Sequence, residues 1–326
     1  MSNAPIFIVG GPRSGTTLLR NMLNRHPAIA ICRETEFFHW VYSRRRNFGS
    51  LSDLDNRRRV VKEYVATQRI QRIRVDLEAL SRTLIEEAAS YPAMFLSLMR
   101  FFANAHGKRR CGEKTPHNGL ITELLYEWYP DASVIHILRD PRDAVASMLR
   151  MPWAPKNVVS NTRAWLSFNL GARRSFGNPR YLLVRYEELV KNPELELRRI
   201  CAFVGEEYSP AMLEPNWDPA ANLFWFRRAE EPVTTERLGR WREELTPNQV
   251  ALVEWVVGRH MQLFGYDAVG IRPSRAAILR DLASAVSDAV GKRVEQFPAA
   301  WYYLIRSTSL AREEAARERY LKSVDS

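Results

Sequence analysis

Ile6-Phe7-Ile8-Val9-Gly10-Gly11-Pro12-Arg13-Ser14-Gly15-Thr16-Thr17 runs from a short apolar stretch into a glycine loop, after which Leu18, Leu19, Met22 and Leu23 recur at helical spacing. A continuous apolar run bounded by glycines reads as a buried strand, and the 3.6-residue recurrence reads as a helix that ends near His26-Pro27. Strand, loop and helix in this order make a phosphate-binding unit. Gly10 and Gly15 stand at G-x-x-x-x-G spacing, which lets backbone N–H groups surround an anion at the helix N-terminus, where the dipole also favours negative charge. A nucleoside triphosphatase places Lys after the second glycine to reach the terminal phosphates; here Thr16 stands there and the cation has moved inside the loop, to Arg13. Such a loop suits a nucleotide 5′-phosphate next to a transferable group and fits poorly with a triphosphate and its metal.

Outward from this unit the pattern is strand alternating with helix, which predicts an α/β fold: a three-layer sandwich around a central, mostly parallel sheet. Further strands are expected to end at Cys111–Lys114 and to run over Ser133–Leu138 and Arg180–Val184. Helices are expected over 120–128, from about Asp143, over 157–176, over 193–204 and after Thr246-Pro247. Residues 36–106 read as a helical insertion, very basic between Arg44 and Arg74, with a helix start at Pro92. The stretch 210–232 reads as irregular. Beyond Gly270 the character changes to an amphipathic segment over 275–290, an aromatic cluster over 297–303 and a charged helix over 310–321. The expected division is a main domain over 1–268 and a C-terminal helical appendage over 269–326.

The 326 residues carry a formal charge of +11 with 46% hydrophobic content, enough for a large core, and this excludes fibrous and membrane-spanning classes. A sequence pI near 9.8 points to an anionic partner. Cys32, Cys111 and Cys201 are far apart, without zinc-ligand spacing, and no basic and apolar leader precedes Ile6, so a cytoplasmic setting is expected.

The second anchor is Leu138-Arg139-Asp140-Pro141-Arg142-Asp143-Ala144-Val145-Ala146-Ser147. Where a nucleotide kinase commonly ends this strand with a carboxylate for its metal, Arg139 stands here, and Ser147 follows it on the next helix. With the glycine loop, this segment resembles the two cofactor motifs of sulfotransferases that use 3′-phosphoadenosine 5′-phosphosulfate (PAPS), and arginine in the loop is similar to the bacterial and tyrosylprotein branch.

The resemblance covers about residues 6–264 and implies roles one position at a time. Gly11, Pro12, Arg13, Ser14, Gly15, Thr16 and Thr17 match the loop that holds the 5′-phosphosulfate. Arg139 and Ser147 match the pair for the 3′-phosphate, Tyr186 the tyrosine against adenine, and Arg237, Gly239 and Arg240 the late segment that closes over the nucleotide. Glu34, 21 residues after Arg13, matches the catalytic base, and Lys114 matches a lysine on the transferring group. In the cytosolic branch a histidine base lies two residues beyond this lysine, a position held here by Pro116; His117 is a second candidate. The implied reaction is in-line sulfuryl transfer from PAPS to a hydroxyl of a carbohydrate, a peptide tyrosine or a lipid head group, giving PAP, with no metal.

Two other readings remain open at this level. One is a small-molecule kinase, opposed by the absent loop lysine and by Arg139. The other is a non-catalytic nucleotide-binding or membrane-surface module that uses the basic helices and Trp301-Tyr302-Tyr303. An acceptor that is anionic or presented at a membrane, peripheral membrane association and a homodimer are consistent with the charge and aromatics. Nucleic acid is not expected.

Overall fold

The strand Ile6–Gly10 (β1) is buried along its whole length and pairs in parallel with two neighbours, Arg110–Lys114 on one side and Ser133–Leu138 on the other. The computed structural model describes residues 4–214 and 233–291. In chain order its strands continue as β2 (Ile29–Cys32), β3 (Arg110–Lys114), β4 (Ser133–Leu138) and β5 (Tyr181–Arg185). All pair in parallel, in the spatial order β2-β3-β1-β4-β5. Strand order therefore reverses at β1, and in open parallel sheets the crevice outside the strand C-termini at such a reversal is where ligands bind.

The helices are α1 (Thr16–Arg25), α2 (Phe37–Trp40), α3 (Arg45–Phe48), α4 (Leu54–Val65), α5 (Gln68–Gln71), α6 (Leu77–Glu87), α7 (Tyr91–Ala105) and α8 (Thr122–Trp128). They continue as α9 (Pro141–Leu149), α10 (Val158–Arg173), α11 (Tyr186–Lys191), α12 (Pro193–Val204), α13 (Trp241–Glu244), α14 (Pro247–Val257), α15 (His260–Leu263) and α16 (Arg275–Gly291). The period-2 alternation of β1 divides them into layers. Ile6 and Ile8 pack with Leu19 and Leu23 of α1 and Leu197 and Ile200 of α12. Phe7 and Val9 face the other way, against Phe37, Phe95, Leu98 and Leu125. A third cluster joins Val145, Trp165, Trp241 and Val253.

The helical character expected of residues 36–106 is present as α2 to α7, and local sequence explains where those helices start. Asp53 and Asp76 cap α4 and α6, each accepting from two backbone N–H groups. Ser90 caps α7, with Pro92 in its first turn. Two boundaries differ from the sequence pattern. Ile29–Cys32 is an additional strand, and α9 begins at Pro141, earlier than expected, because Asp140 accepts from the Arg142 N–H at 2.8 Å as its cap. Of the irregular stretch 210–232, Pro210–Leu213 is a 3-10 turn and 215–232 lies outside the described residues, as do the aromatic cluster 297–303 and the segment 310–321. The first part of the C-terminal region does pack on the fold: Asp281 of α16 accepts from the N–H groups of Val158 and Val159 at 2.9 and 2.8 Å and so caps α10. No helix among the described residues is long and apolar enough to cross a membrane.

Phe95 of α7 ties the helical insertion to the sheet, with ring centroids 4.8 Å from Phe37 and 5.9 Å from Phe7. Phe95→Ala is expected to lower the unfolding free energy by about 3–5 kcal/mol, read as a fall in the urea midpoint; a loss well under this range would mean the insertion is not held through that ring.

Candidate active site

The loop after β1 is held in backbone conformations that L-residues rarely adopt. Arg13 has φ of 65° and Gly15 has φ of 95°, and residues kept in such regions cluster where function needs the geometry. At Gly15 a side chain is also excluded by contact, since a Cβ there would stand 2.5 Å from Cδ2 of Tyr186. Helix α1 then starts at Thr16 with no side-chain cap and no acidic residue in its first turn, so its N-terminal field is not cancelled locally. Ser14 is fully buried in the loop, and its Oγ has no hydrogen-bond partner among the described residues.

The parallel pairing of β1 with β4 brings the second motif beside this loop. Arg13 Nε donates to Ser147 Oγ at 3.1 Å. Arg139, at the end of β4, donates to the carbonyls of Arg13 at 3.3 Å and Arg237 at 2.8 Å, and lies over the Tyr186 ring at 4.4 Å. Its Nε is buried without a partner among the described residues. Asp143 of α9, 3.8 Å from Arg139, accepts from the N–H groups of Gly239 and Trp241, both at 2.9 Å. Arg13, Ser147, Arg139, Tyr186, Arg237 and Gly239 thus converge. Arg240 is turned to another partner, pairing with Glu244 at 3.1 Å.

The other pair expected from the sequence, Glu34 and Lys114, meets at the C-terminal ends of β2 and β3. Lys114 is 1% exposed, forms a short ion pair with Glu34 and donates to Thr17 Oγ1 at 3.4 Å. The ion pair thereby joins the carboxylate to the glycine loop after β1. Burial pushes the Glu34 carboxyl up, but the Lys114 charge and hydrogen bond, aided by Arg20, outweigh it and hold the group well below the ordinary range. Burial acts on Lys114 in the opposite sense to Glu34, lowering it while the carboxylate draws it up. His117 has its ring 4.8 Å from Phe168, and burial pushes its pKa down to about 4 although Glu34 pulls it up. It is neutral at pH 7.

Three further residues belong to this arrangement and carry no motif signal of their own. Asp143 fastens the late segment, Arg20 sets a second buried cation near Glu34 and Lys114, and Glu113 anchors Thr35, the neighbour of Glu34. Asp143 lies inside the Arg139–Ser147 stretch and Glu113 precedes Lys114, so proximity to a motif is the signal that singles them out. Among the described residues no group of three or more His, Cys, Asp or Glu side chains is arranged to hold a metal ion.

A family description, "Sulfotransferase family", matches residues 5–210. The nodulation protein NoeE of Sinorhizobium fredii is 28% identical over 86% of this chain and 70% of its own length. A putative protein-tyrosine sulfotransferase of Caenorhabditis briggsae is 24% identical over 85% of this chain and 94% of its own. Among solved structures, the sulfotransferase domain of the Synechococcus PCC 7002 olefin synthase shares the fold, with a TM-score of 0.55 at 22% identity over 81% of this chain and 95% of that domain.

If Lys114 is what holds Glu34 ionised, Lys114→Met leaves burial opposed on the carboxyl only by Arg20 and a backbone hydrogen bond. Its pKa should then rise past the ordinary carboxylate value, since the folded-state depression is lost and desolvation remains. Carbon-detected NMR titration of Glu34 in the two proteins checks this; an unmoved midpoint would assign the depression to Arg20 instead.

Proposed function

Since this chain belongs to the sulfotransferase family and is a sulfuryl-transferring enzyme, we propose that its donor is PAPS, its product PAP and its acceptor a hydroxyl group, with Glu34 as base. The observation that carries this reading is the contact chain from Glu34 through Lys114 to Thr17, which sets a carboxylate and a cation on the phosphate-binding loop. The donor set also fits the nucleotide. Ser14 Oγ and Arg139 Nε are buried polar groups that no described residue satisfies, as oxygens of a 5′- and a 3′-phosphate would. Tyr186, 7% exposed and against Gly15, offers an aromatic face for the base.

In this proposal the loop from Gly11 to Thr17 binds the 5′-phosphosulfate, and Arg139 with Ser147 binds the 3′-phosphate. Gly239, held by Asp143, and Arg237, whose carbonyl accepts from Arg139, border the nucleotide, and Arg240 joins them on leaving Glu244. The acceptor oxygen attacks sulfur in line, so the new O–S bond forms as the bond from sulfur to the 5′-phosphate oxygen breaks. The acceptor proton passes to the Glu34 carboxylate. Charge developing on the departing phosphate oxygen is met by Arg13 and Lys114. No step is assigned to a metal. The sulfotransferase unit is taken as residues 1–268, with 269–326 as an appendage fastened to it through Asp281.

Glu34→Gln keeps shape and removes the proton acceptor. It should bind PAP as wild type does and lose about 10²–10⁴-fold in turnover, measured with radiolabelled PAPS against a panel of glycan, peptide and lipid hydroxyls. Retained turnover would remove Glu34 as base. Arg139→Ala should instead weaken PAP binding by about 2–5 kcal/mol in calorimetry, and unaltered affinity would break the 3′-phosphate assignment. A protein that binds neither PAP nor PAPS would end the donor reading.

A further inference from the structure

Glu113 is 1% exposed at the end of β3, next in the chain to Lys114, and four neutral groups donate to its carboxylate. Thr35 gives its N–H at 3.0 Å and its hydroxyl at 2.9 Å to Oε1, the Thr115 hydroxyl makes a shorter bond to the same oxygen, and the Asn118 amide donates to Oε2 at 2.9 Å. The β2–β3 ladder ends at the pair Cys32↔Glu113. Past that point the β2–β3 register pairs no further residues. The Glu113 side chain continues the ladder in place of a strand, taking the N–H of Thr35 and so anchoring the segment that carries Glu34. From the other side Tyr64 of α4 donates to the Thr35 carbonyl at 3.1 Å, and the chain then turns sharply through Glu36, whose φ is 49°.

We propose that Glu113 is a positioning residue for the transfer, a buried carboxylate that fixes the Glu34 backbone through Thr35 while its own backbone leads into Lys114. It thereby sets the separation of base and cation. The inference rests on the reading of Glu34 as base. A carboxylate left in the interior without a cation of its own is costly. That cost has a reason only if the negative charge or the capacity to accept four hydrogen bonds is needed here.

The two reasons separate experimentally, because Gln keeps an acceptor for both Thr35 donors and removes the charge. Burial, with Glu34 adding to it, raises the Glu113 pKa to about 7. The other titratable groups facing it are Lys114 on its own strand, Cys32 on β2 and Tyr64 on α4, and burial raises both of the latter so that they stay neutral at that pH. As pH falls through 7 the carboxylate takes a proton, loses an acceptor and no longer raises the basicity of Glu34 by its charge. Turnover should fall with it.

Turnover, KM for donor and acceptor, PAP affinity and the pH profile of kcat are to be measured for wild type, Glu113→Ala, Glu113→Gln and Thr35→Val. Expected are a drop of about 10²-fold in kcat for Glu113→Ala, the scale of a small misplacement of a reacting group, with PAP affinity within twofold of wild type. Glu113→Gln, uncharged like the protonated acid but still an acceptor for Thr35, should hold kcat above that of Glu113→Ala, at the level wild type reaches below pH 7, and lack the limb near pH 7; Thr35→Val should lose several-fold in kcat alone. Wild-type kcat in Glu113→Ala overturns the proposal; so does a parallel loss of PAP affinity that Gln does not rescue, which marks a merely structural carboxylate. Should Glu113→Ala not fold, Thr35→Val and the Gln profile decide: wild-type kcat in the first, or an unchanged limb in the second, overturns it. Glu34→Gln separates the two levels. If it is active, the base reading fails first, and if it is inactive while Glu113→Ala is not, only the positioning role fails.

Discussion

Arg139 is a guanidinium with 8% of its surface exposed, and the carbonyls it reaches belong to residues 126 and 98 positions away. Burying that charge costs several kcal/mol unless its hydrogen bonds are provided. The fold provides them from the loop after β1, the segment at Arg237 and the ring of Tyr186. None of these could meet without the β1–β4 pairing, whose register from Ile6↔Ser133 to Gly10↔Ile137 delivers both strand ends to one edge of the sheet. The other half of the site has the same origin. Parallel pairing of β1 with β3 and of β3 with β2 sets Lys114 and Glu34 at that edge, so a single topological constraint assembles both halves.

The excess positive charge looks different once its positions are known. Much of the basic run from Arg44 to Arg74 is engaged in holding the helical insertion together. Arg57 donates to the Ile85 carbonyl at 2.7 Å, and Arg59 to those of Asn47 and Phe48, both at 3.0 Å. Cations at helix C-terminal carbonyls satisfy acceptors that the helix cannot. Arg44 and Arg69 pair with Glu63 and Glu36, both at 2.9 Å. The Glu36–Arg69 pair stands two residues from Glu34, so part of the run lies beside the proposed base. An anionic acceptor draws less support from this run than the bare sequence suggests.

What the sequence made legible follows the range of the forces involved. The β1–loop–α1 unit and β4 with Arg139 are local patterns, in which glycine spacing, apolar runs and a terminal cation are all visible within a dozen residues. The strand β2 escaped because Ile29–Cys32 is four residues, buried on both faces, and a short continuous apolar run has no period to betray it. Glu113 escaped for a different reason: its donor Thr35 is 78 residues away, and a buried carboxylate reads in sequence like any surface one. Arg240 shows the converse. Glu244 follows it at i+4 spacing on a helical turn, so the local pattern held information that the family motif overrode.

The ion pair at the heart of the site has a chemical implication under the proposed reading. A carboxylate held well below its ordinary pKa by Lys114 is reliably ionised yet a weak base, whereas a general base works best with a pKa near the working pH. Lys114 cannot spend its full charge on Glu34 and on a developing phosphate oxygen at once. As negative charge grows on the leaving oxygen, the cation is drawn toward it and its hold on the carboxylate weakens. Burial, opposed until then, raises the carboxylate's affinity for the acceptor proton. Base strength and leaving-group stabilisation thus rise together along the reaction, because one buried lysine is shared between them.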